Sequence, residues 1–549
     1  MSVRKTLDLT HPPDLMEHGA GTGPMRRRRP VYVDFLPPCN QACPAGENIQ
    51  AWLAEAQAGR YERAWRILMQ DNPLPAVHGR VCYHPCETHC NRNAVDGAVN
   101  IHAIERFLGD LALQEGWQVA KEKPPTGKRV LVIGAGPSGL SAAYHLSRLG
   151  HAVEIYEAGP MAGGMMQFGI PAYRLPREAM QQEVRRIEAM GVRISLNHKV
   201  QDLLQEKETG RFDAVFLAIG AHLSKRIDVP ARDAGKILDA LSFLRQAATG
   251  ESPRLGRRVA IYGGGNTAVD AARTAKRLGA EEALIIYRRD PAHMPAHPSE
   301  VEEALEEGIK VRWLRSIKSI EQTHLQVEVM RLDEQGYPVP TGQYETLEAD
   351  ALILALGQET DAGFLRGVPG IRLREDGTVV VDAHWMTGHP GIFAGGDMVP
   401  GERTVTASVG HGKKTARYID AYLRGEHYVA PPKHPTVGFE KLRVWYLIEA
   451  DPRAQSRLDP LTRNYGFAEV VQGLSEAETI YEARRCFSCG NCFECDGCYA
   501  ACPEQAIIKL GPGRRYRFDY ARCTGCAVCY EQCPCHAIEM IPEPKPPAT

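Results

Sequence analysis

The sequence predicts an α/β protein in which two nested Rossmann-like nucleotide-binding units lie between a cysteine-bearing helical domain and a cysteine-rich C-terminal module. From Arg129 to about Tyr428, short apolar segments alternate with helical ones, the pattern of βαβ units and parallel sheets. Two of these units carry a glycine-rich turn between strand and helix. Eleven of the 16 cysteines lie between residues 486 and 549, and the other five lie before residue 91.

Composition and charge narrow the class of protein. A chain of 549 residues is long enough for several domains with their own cores. The formal net charge of −2 gives no reason to expect a nucleic-acid partner, and we interpret the basic run Arg26–Arg29 as part of a solvated arm. The N-terminus lacks an apolar signal sequence, and no run reaches the roughly 18 apolar residues needed to span a bilayer. We therefore expect a cytoplasmic protein without a membrane span.

The C-terminal cysteines have the spacing of two [4Fe–4S] clusters. The run C-x₂-C-x₂-C-x₃-C-P occurs twice, and in such a pair each run gives three thiolates to one cube and its fourth to the other. Zinc sites would leave thiolates over, and nothing marks a secreted disulfide framework. Cys486, Cys489 and Cys535 fall outside the two runs and are not expected to be cube ligands, although a zinc or redox role is left open. The predicted ligands are Cys492, Cys495, Cys498 and Cys533 for one cube, and Cys502, Cys523, Cys526 and Cys529 for the other.

The first nucleotide-binding unit has the full dinucleotide fingerprint. The predicted strand Arg129–Ile133 leads into a G-x-G-x-x-G turn and a helix, and the next strand ends on an acid 23 residues after the first glycine. The three glycines allow a tight turn, the approach of a pyrophosphate and close helix packing, and the acid binds ribose hydroxyls. The residues are Gly134, Gly136, Pro137, Ser138, Gly139 and Glu157.

The second unit differs where its second strand ends. Where an acid would hold the ribose 2′-hydroxyl, the chain has Arg288 and Arg289. Guanidinium groups suit a 2′-phosphate, so this pair favours NADP(H) over NAD(H), although an arginine that stacks on adenine would give the same pattern. The residues of the glycine-rich turn and the start of its helix are Gly263, Gly265, Asn266, Thr267 and Ala268.

The order of these motifs resembles that of the two-dinucleotide-binding flavoproteins, the family of thioredoxin and glutathione reductases. The first turn is followed by Ala-Ile-Gly220, the second turn, Ala-Leu-Gly and then Gly-Gly396-Asp397. The resemblance implies FAD in the first site and NAD(P)H in the nested second site. It also implies that Asp397 reaches the ribityl or phosphate region of FAD, and that the helix N-terminus at Thr406 and Ala407 faces the isoalloxazine edge.

The dithiol branch of that family is not expected here. The chain has no cysteine between Cys90 and Cys486, so a flavin would pass its electrons to iron–sulfur clusters instead. Hydride transfer to a flavin needs no general acid or base, and no catalytic residue is nominated. His293, His297 and His411 are interpreted as ordinary loop histidines.

A closer resemblance covers roughly residues 30–425. The N-terminal cysteines, the Gly-Gly164-Met-Met stretch and the segment 287–295 are similar to the small subunit of bacterial glutamate synthase. They also resemble domains of dihydropyrimidine dehydrogenase and the large subunit of electron-bifurcating transhydrogenase. The resemblance adds Gly164 to the FAD site and implies two N-terminal [4Fe–4S] sites near the flavin. One uses cysteines matching Cys43, Cys82 and Cys86 with an acid or amide matching Glu105, and the other uses Cys39 and Cys90 with an upstream C-x₂-C.

The chain departs from its relatives at that upstream C-x₂-C. Val31 and Asp34 occupy the aligned positions, so the second site keeps only two thiolates, too few for an ordinary cube. We therefore expect one N-terminal cluster and three [4Fe–4S] clusters in all. Cys90 is the expected fourth ligand of the N-terminal cluster, Glu105 is the alternative, and Cys39 is expected to be an inert buried thiol.

These expectations define a subunit that handles NAD(P)H and lacks a site for an organic substrate. The favoured partner is a 2-oxoacid oxidoreductase of the ferredoxin-dependent type, and the alternatives are a glutamate-synthase-type large subunit or a stand-alone NAD(P)H:ferredoxin oxidoreductase. The predicted domains are a disordered arm (1–30), a helical Fe–S domain (31–123), the two parts of the FAD-binding domain (124–250 and 356–430), an NAD(P)H-binding domain (251–355), a connector (431–485) and a bacterial-type 2[4Fe–4S] ferredoxin domain (486–549).

Overall fold

The computed structural model describes residues 26–224, 231–232, 236–251, 253–445 and 447–544. Two parallel five-stranded sheets form its centre, and a four-stranded sheet and an N-terminal helical domain surround them. The predicted fold class, with two nested nucleotide-binding units between cysteine-bearing segments, is confirmed.

The first sheet is built around the strand that precedes the first glycine-rich turn. Four of the five residues of Arg129–Ile133 are buried, as expected of a strand covered by helices on both faces. The helices Pro137–Arg148 and Val405–Arg424 pack against each other, and a Cβ on Gly412 would lie 2.3 Å from the Ser138 carbonyl oxygen. In spatial order the parallel strands are Ile392–Ala394, Ala214–Leu217, Arg129–Ile133, Ala152–Tyr156 and Arg193–Ser195. Further helices of this unit are Met165–Phe168, Arg177–Ala189 and Leu203–Thr209.

The second sheet contains a strand that the predicted domain boundary left out. Lys236–Asp239 pairs with Ala351–Leu354, so this unit begins before residue 251 and the predicted boundary there is wrong. In spatial order the parallel strands are Lys310–Trp313, Glu282–Tyr287, Arg258–Tyr262, Ala351–Leu354 and Lys236–Asp239, and the helices are Ala240–Thr249, Asn266–Arg277 and Pro298–Glu306.

A smaller sheet lies beside the second unit, and a short ribbon marks the passage between the two units. The ribbon pairs Leu223–Ser224 with Gln358–Glu359. The strands of the smaller sheet are, in spatial order, Pro338–Glu348, His324–Leu332, Arg315–Glu321 and Ala231–Arg232.

Buried ion pairs fix the second unit against its neighbours. Arg174 of the first unit pairs with Asp270 at 2.9 Å and also with Glu300, and all three side chains are largely buried. Arg463 of the connector pairs with Glu306 at 2.9 Å. Breaking a buried pair by removing one partner costs about 3–5 kcal/mol, since the other charge is left uncompensated. These contacts hold the two nucleotide-binding units in one relative position.

The N-terminal helical domain shares its core with the connector. Helix Glu476–Arg484 begins at a capping box formed by Ser475 and Glu478, and its Ala483 is buried among residues such as Trp52 and Ile104. The connector therefore completes the helical domain. Its own helices are Pro460–Arg463 and Glu476–Arg484, and those of the N-terminal domain are Pro38–Ala42, Ile49–Gln57, Tyr61–Leu68, Pro75–Val81, Pro85–Thr88 and Ile101–Gln114.

The two ends of the chain pair with each other. The strand Arg28–Tyr32 runs antiparallel to Ile538–Pro542, and Arg26 forms an ion pair with Glu543 at 2.7 Å. Residues 1–25 of the predicted disordered arm (1–30) lie outside the described residues. For residues 28–30 the prediction of disorder is wrong, because they belong to the strand Arg28–Tyr32. The basic run is not a solvated arm either, because the guanidinium group of Arg29 stacks on a tyrosine ring of the C-terminal module.

The C-terminal module is small and contains little regular structure. Its helices and remaining strands are Gly497–Ala501, Val528–Glu531, Ile507–Lys509 and Tyr516–Phe518. Across the described residues of the whole chain, no helix is both long enough and apolar enough to cross a membrane.

Candidate functional site

The first glycine-rich turn leaves room for a ligand at one glycine only. Gly134 has φ +104°, and a Cβ there would lie 2.4 Å from the Ala218 carbonyl oxygen. A Cβ on Gly139 would lie 1.9 Å from the Gly134 carbonyl oxygen. A Cβ on Gly136 would meet nothing within 4 Å. The backbone at Gly136 is therefore open where a pyrophosphate would approach.

The start of the following helix suits an anion. Helix Pro137–Arg148 has no side-chain cap at its N-terminus, and uncapped N-terminal amides bind phosphate groups. The Ser138 hydroxyl is buried and has no hydrogen-bond partner among the described residues. Pro137 lacks an N–H where the helix would not use one. These residues fit the pyrophosphate of FAD.

Glu157 closes the same turn. Its carboxylate accepts hydrogen bonds from the backbone N–H groups of Ala135 and Gly159, both at 2.7 Å. The carboxylate is thus held at the end of its strand, with remaining lone pairs for ribose hydroxyls. Two more predicted FAD residues border this space. Gly164 has φ +54° and lies against the Gly136 backbone, and Gly220 has φ +70° with open space in front of it.

The Gly-Gly-Asp motif lies beside this turn. A Cβ on Gly396 would lie 2.9 Å from the Ser138 Cβ, and the Asp397 carboxylate accepts a hydrogen bond from the Ser408 hydroxyl at 3.0 Å. Burial raises the pKa of Asp397. His411 accepts a hydrogen bond from the Gly396 N–H, and burial lowers the pKa of its imidazole to about 4. His411 is therefore a helical residue that supports this motif, and the interpretation as a loop histidine is wrong.

The second glycine-rich turn repeats the geometry of the first. Gly263 has φ +151°, and a Cβ there would lie 2.2 Å from the Ala355 carbonyl oxygen, whereas Gly265 faces open space. Gly265 caps the helix Asn266–Arg277, which contains Thr267 and the buried Ala268. The Asn266 side chain accepts a hydrogen bond from the His297 N–H at 2.8 Å, so it also orders the neighbouring loop.

The predicted coenzyme arginines lie at the carboxyl end of the strand Glu282–Tyr287. Arg288 is exposed, and Arg289 is partly buried with its guanidinium group 5.5 Å from the Tyr337 ring centroid. Neither forms an ion pair with a carboxylate of the described chain, and the Arg289 Nε is buried without a hydrogen-bond partner there. Both cations are available to an anionic ligand.

Three N-terminal cysteines lie near one another in the helical domain. Burial raises the pKa of the Cys43 thiol, with further contributions from Glu47, Cys82 and Glu105. Burial likewise raises the pKa of the Cys86 thiol, and Cys82 and Cys43 add to the effect. Three thiols and two buried carboxyl groups, those of Glu47 and Glu105, are therefore close neighbours. Three thiolates with one of these carboxylates are a donor set that fits a [4Fe–4S] cube.

Cys90 belongs to a different group. It lines a cavity with Cys39, Cys486 and Cys489, whereas Cys43, Cys82 and Cys86 do not line this cavity. This placement disagrees with the prediction that Cys90 completes the N-terminal cluster, and the alternative ligand, Glu105, stays a prediction. Sequence reasoning missed this second group, although the C-x₂-C spacing of Cys486 and Cys489 matches the motif absent at 31–34.

The structure brings together both predicted sets of C-terminal cysteines. Four thiols line one cavity. Three cysteines of the other set pack in one apolar cluster, and burial raises the pKa values of the Cys492, Cys495 and Cys498 thiols, with a further contribution from the neighbouring Cys533. Tyr32 of the N-terminal strand lies 3.7 Å from the Cys498 sulfur. The cavity is lined by Cys502, Cys523, Cys526 and Cys529, and the other set is Cys492, Cys495, Cys498 and Cys533.

The N-terminal cysteines and the nucleotide site share one helix. Thr404 caps the helix Val405–Arg424, and the next buried residues, Thr406 and Ala407, form its first turn. Burial raises the pKa of the Cys82 thiol, and the buried Thr406 hydroxyl has no hydrogen-bond partner among the described residues. The helix contacts the Gly-Gly-Asp loop through Ser408 and the residue after Cys43 through Gly410, which packs against Pro44.

The helix Val405–Arg424 packs closely against the backbone of the N-terminal helical domain. A Cβ on Gly410 would lie 2.2 Å from the Pro44 carbonyl oxygen. Lys413 donates hydrogen bonds to the Gly46 carbonyl oxygen at 2.7 Å and to the Asp71 carboxylate at 2.9 Å. The helical domain is therefore fixed against the first nucleotide-binding unit.

Comparison with known families agrees with this geometry. The pyridine nucleotide-disulphide oxidoreductase family matches residues 128–412, and dihydropyrimidine dehydrogenase domain II, 4Fe-4S cluster, matches residues 35–117. The chain belongs to the pyridine nucleotide-disulphide oxidoreductase family. It is an oxidoreductase with a FAD- and NAD(P)-binding fold and an iron–sulfur domain.

Several relatives define the match more narrowly. The chain is 39% identical over 434 residues to the NADP(+)-dependent formate dehydrogenase subunit beta of Moorella thermoacetica, covering 72% of this chain and 61% of that protein. It is 36% identical over 441 residues to the NADPH-Fe(3+) oxidoreductase subunit beta of Geobacter sulfurreducens, with 72% and 66% covered. It is 34% identical over 418 residues to the glutamate synthase [NADPH] small chain of Escherichia coli, with 70% and 89% covered. The predicted resemblance to the glutamate synthase small subunit is confirmed, and the chain spans less than two thirds of the first two relatives.

Proposed function

We propose that this chain carries electrons between NADP(H) and a larger redox subunit by way of FAD and [4Fe–4S] clusters. Bound FAD supplies the conversion between a two-electron hydride donor and one-electron carriers. The residues of the chain bind and orient: the first turn and Asp397 hold FAD, the second turn and Arg288–Arg289 hold NADP(H), and the cysteines hold the clusters.

The observation that carries this proposal is the shared helix Val405–Arg424. Its Ser408 donates a hydrogen bond to Asp397 of the FAD motif, and its Gly410 packs against Pro44, the residue after Cys43. A cluster held by Cys43, Cys82, Cys86 and Glu105 would thus lie beside the flavin. Hydride transfer and electron exit are then served by adjacent sites, with no acid or base required between them.

The partner is inferred from the C-terminal module. Two ferredoxin-type cubes resemble the small ferredoxin subunits of 2-oxoacid oxidoreductases, which supports that class of partner. Two of the relatives are named as subunits of formate dehydrogenase and glutamate synthase, which supports a larger assembly in general. Affinity purification from the native cell tests this: co-purification of a thiamine-diphosphate enzyme supports the proposal. Recovery of a glutamine amidotransferase favours the glutamate synthase alternative, and isolation of the chain alone favours a stand-alone carrier.

Coenzyme choice is tested at the arginine pair. Replacing Arg288 and Arg289 by glutamine should remove two charge-assisted contacts to the 2′-phosphate, a loss of about 3 kcal/mol or more. Since 1.4 kcal/mol is a factor of ten, KM for NADPH should rise roughly 100-fold while KM for NADH changes little. Steady-state dye reduction with both coenzymes measures the effect.

A matched control removes the same charge elsewhere. Arg254 and Arg257 are exposed and precede the strand Arg258–Tyr262, at the opposite edge of the same sheet. Glutamine at these two positions should leave both KM values unchanged. An equal loss for NADPH and NADH in the Arg288–Arg289 variant, or a wild-type preference for NADH, would overturn the assignment of NADP(H).

A further inference from the structure

Cysteines from the two ends of the chain meet in one cavity. This cavity is lined by Cys39 and Cys90 of the helical domain and by Cys486 and Cys489 of the C-terminal module. None of these four thiols has a role in the sites described above. The C-terminal pair reaches the cavity because helix Glu476–Arg484 packs into the core of the helical domain.

The C-terminal module contains a second cavity with which this one can be compared. The predicted ferredoxin ligands Cys502, Cys523, Cys526 and Cys529 line this second cavity. The two cavities are similar in size, and each is lined by four thiols. A space that suits a [4Fe–4S] cube in one place suits it equally in the other.

The spacing of the thiols argues against a single zinc ion. Four thiolates at a Zn–S distance of about 2.3 Å in a tetrahedron lie about 3.8 Å from one another. The thiols of Cys39, Cys90, Cys486 and Cys489 are not among the groups of ligand atoms within 4.8 Å of one another in the described part of the chain. The predicted ferredoxin ligands are not among them either, as expected of thiolates arranged around a larger cluster.

The surroundings of the thiols favour thiolate ligands. The backbone N–H of Ser488 donates to the Cys486 sulfur at 3.4 Å, and the Asn91 side chain donates to the Cys489 sulfur at 3.4 Å. Hydrogen bonds to ligand sulfurs are a feature of iron–sulfur sites. Arg92 also lines the cavity and donates a hydrogen bond to the Arg485 carbonyl oxygen, so that two arginines lie beside the four cysteines.

We propose that Cys39, Cys90, Cys486 and Cys489 bind a fourth [4Fe–4S] cluster that joins the two ends of the chain. The site lies between the other two groups of cysteines: Cys39, Cys90 and Cys486 pack in the same apolar cluster as Cys43 and Cys86, and Cys489 precedes Cys492 by three residues. The inference does not depend on the coenzyme or on the partner, since it concerns metal content alone.

Paired substitutions at the two ends of the chain test the site. Anaerobically purified wild-type protein should contain about sixteen iron atoms and as many acid-labile sulfides, from four cubes. Either Cys39→Ser with Cys90→Ser, or Cys486→Ser with Cys489→Ser, should lower both numbers by about four. The quadruple variant should lose the same four and not eight, because both pairs serve one cluster. Cys535→Ser, which changes another buried cysteine, should lose none.

Native mass spectrometry of the wild-type protein provides a test that needs no variant. The mass should exceed that of the polypeptide with FAD by four [4Fe–4S] units. A wild-type mass with only three such units, together with an unchanged iron content in both pair variants, would overturn the proposal. One zinc atom per chain that is lost when these cysteines are replaced would overturn it as well. A failure of NADPH oxidation with sixteen iron atoms present would instead count against the proposed function.

Discussion

Serine in place of Cys495, Cys498, Cys526 and Cys529 is expected to reduce electron transfer to the partner to the background level. Each predicted ferredoxin cube would lose two of its four thiolates, and two soft ligands are too few to hold a cube. None of the four cysteines lies in a nucleotide-binding unit, so reduction of the flavin by NADPH should proceed at the wild-type rate. The C-terminal module would then be the port through which electrons leave.

Three anaerobic measurements separate these steps. Stopped-flow absorbance follows flavin reduction by NADPH, steady-state assays follow reduction of a ferredoxin or the co-purified partner, and a small dye reports access to the flavin directly. Cys535→Ser is the matched control within the same module. Full partner reduction by the fourfold variant would show that electrons leave from the N-terminal clusters.

Point substitutions are preferable to removal of the module. The strand Ile538–Pro542 pairs with Arg28–Tyr32, and Cys486 and Cys489 line the cavity of the helical domain. Deleting residues 486–549 would therefore disturb both ends of the chain and a further cluster site, and a loss of activity would have several causes.

Substitutions at the first glycine-rich turn should separate folding from FAD binding. In Gly139→Ala, the new Cβ would lie 1.9 Å from the Gly134 carbonyl oxygen and 3.2 Å from a Val132 methyl carbon, so helix and strand must move apart. Overpacking of this kind typically costs about 1–3 kcal/mol, and this variant should lose both thermal stability and FAD. In Gly136→Val, the side chain would enter open space in the ligand-free protein and should exclude the pyrophosphate alone.

Flavin content and the melting temperature of the ligand-free protein report the two effects. Gly136→Val should melt at the same temperature as wild-type protein from which FAD has been removed. It should nevertheless rebind almost no FAD. Gly466→Ala is the control, because a Cβ at this position meets nothing within 4 Å and lies outside the nucleotide-binding units. Normal FAD binding by Gly136→Val would exclude this turn as the pyrophosphate site.

The nucleotide-binding units could be predicted because each of their sequence signals lies within a short segment of the chain. The strand Arg129–Ile133 has the predicted bounds. Like it, the strands Ala152–Tyr156 and Arg258–Tyr262 are short apolar runs that stop at a glycine-rich turn or an acid. The pairing of C-terminal cysteines into two sets was likewise predicted from spacing within each run. His411 was not predictable in this way, because its contact with Gly396 depends on how the helix Val405–Arg424 packs.

The sequence by itself determined the fold class, the two nucleotide-binding turns and the ferredoxin-type cysteine runs, because residues within one turn or one short run are held near each other by the chain. Only the tertiary structure decided which cysteines share a cavity with Cys39 and Cys90, and that the first and last described strands pair. Asn91 and Cys489 are 398 residues apart and hydrogen-bonded, and this contact arises from burial of helix Glu476–Arg484 and from pairing of the terminal strands. Contacts of this kind depend on the packing of whole elements, which no local spacing encodes.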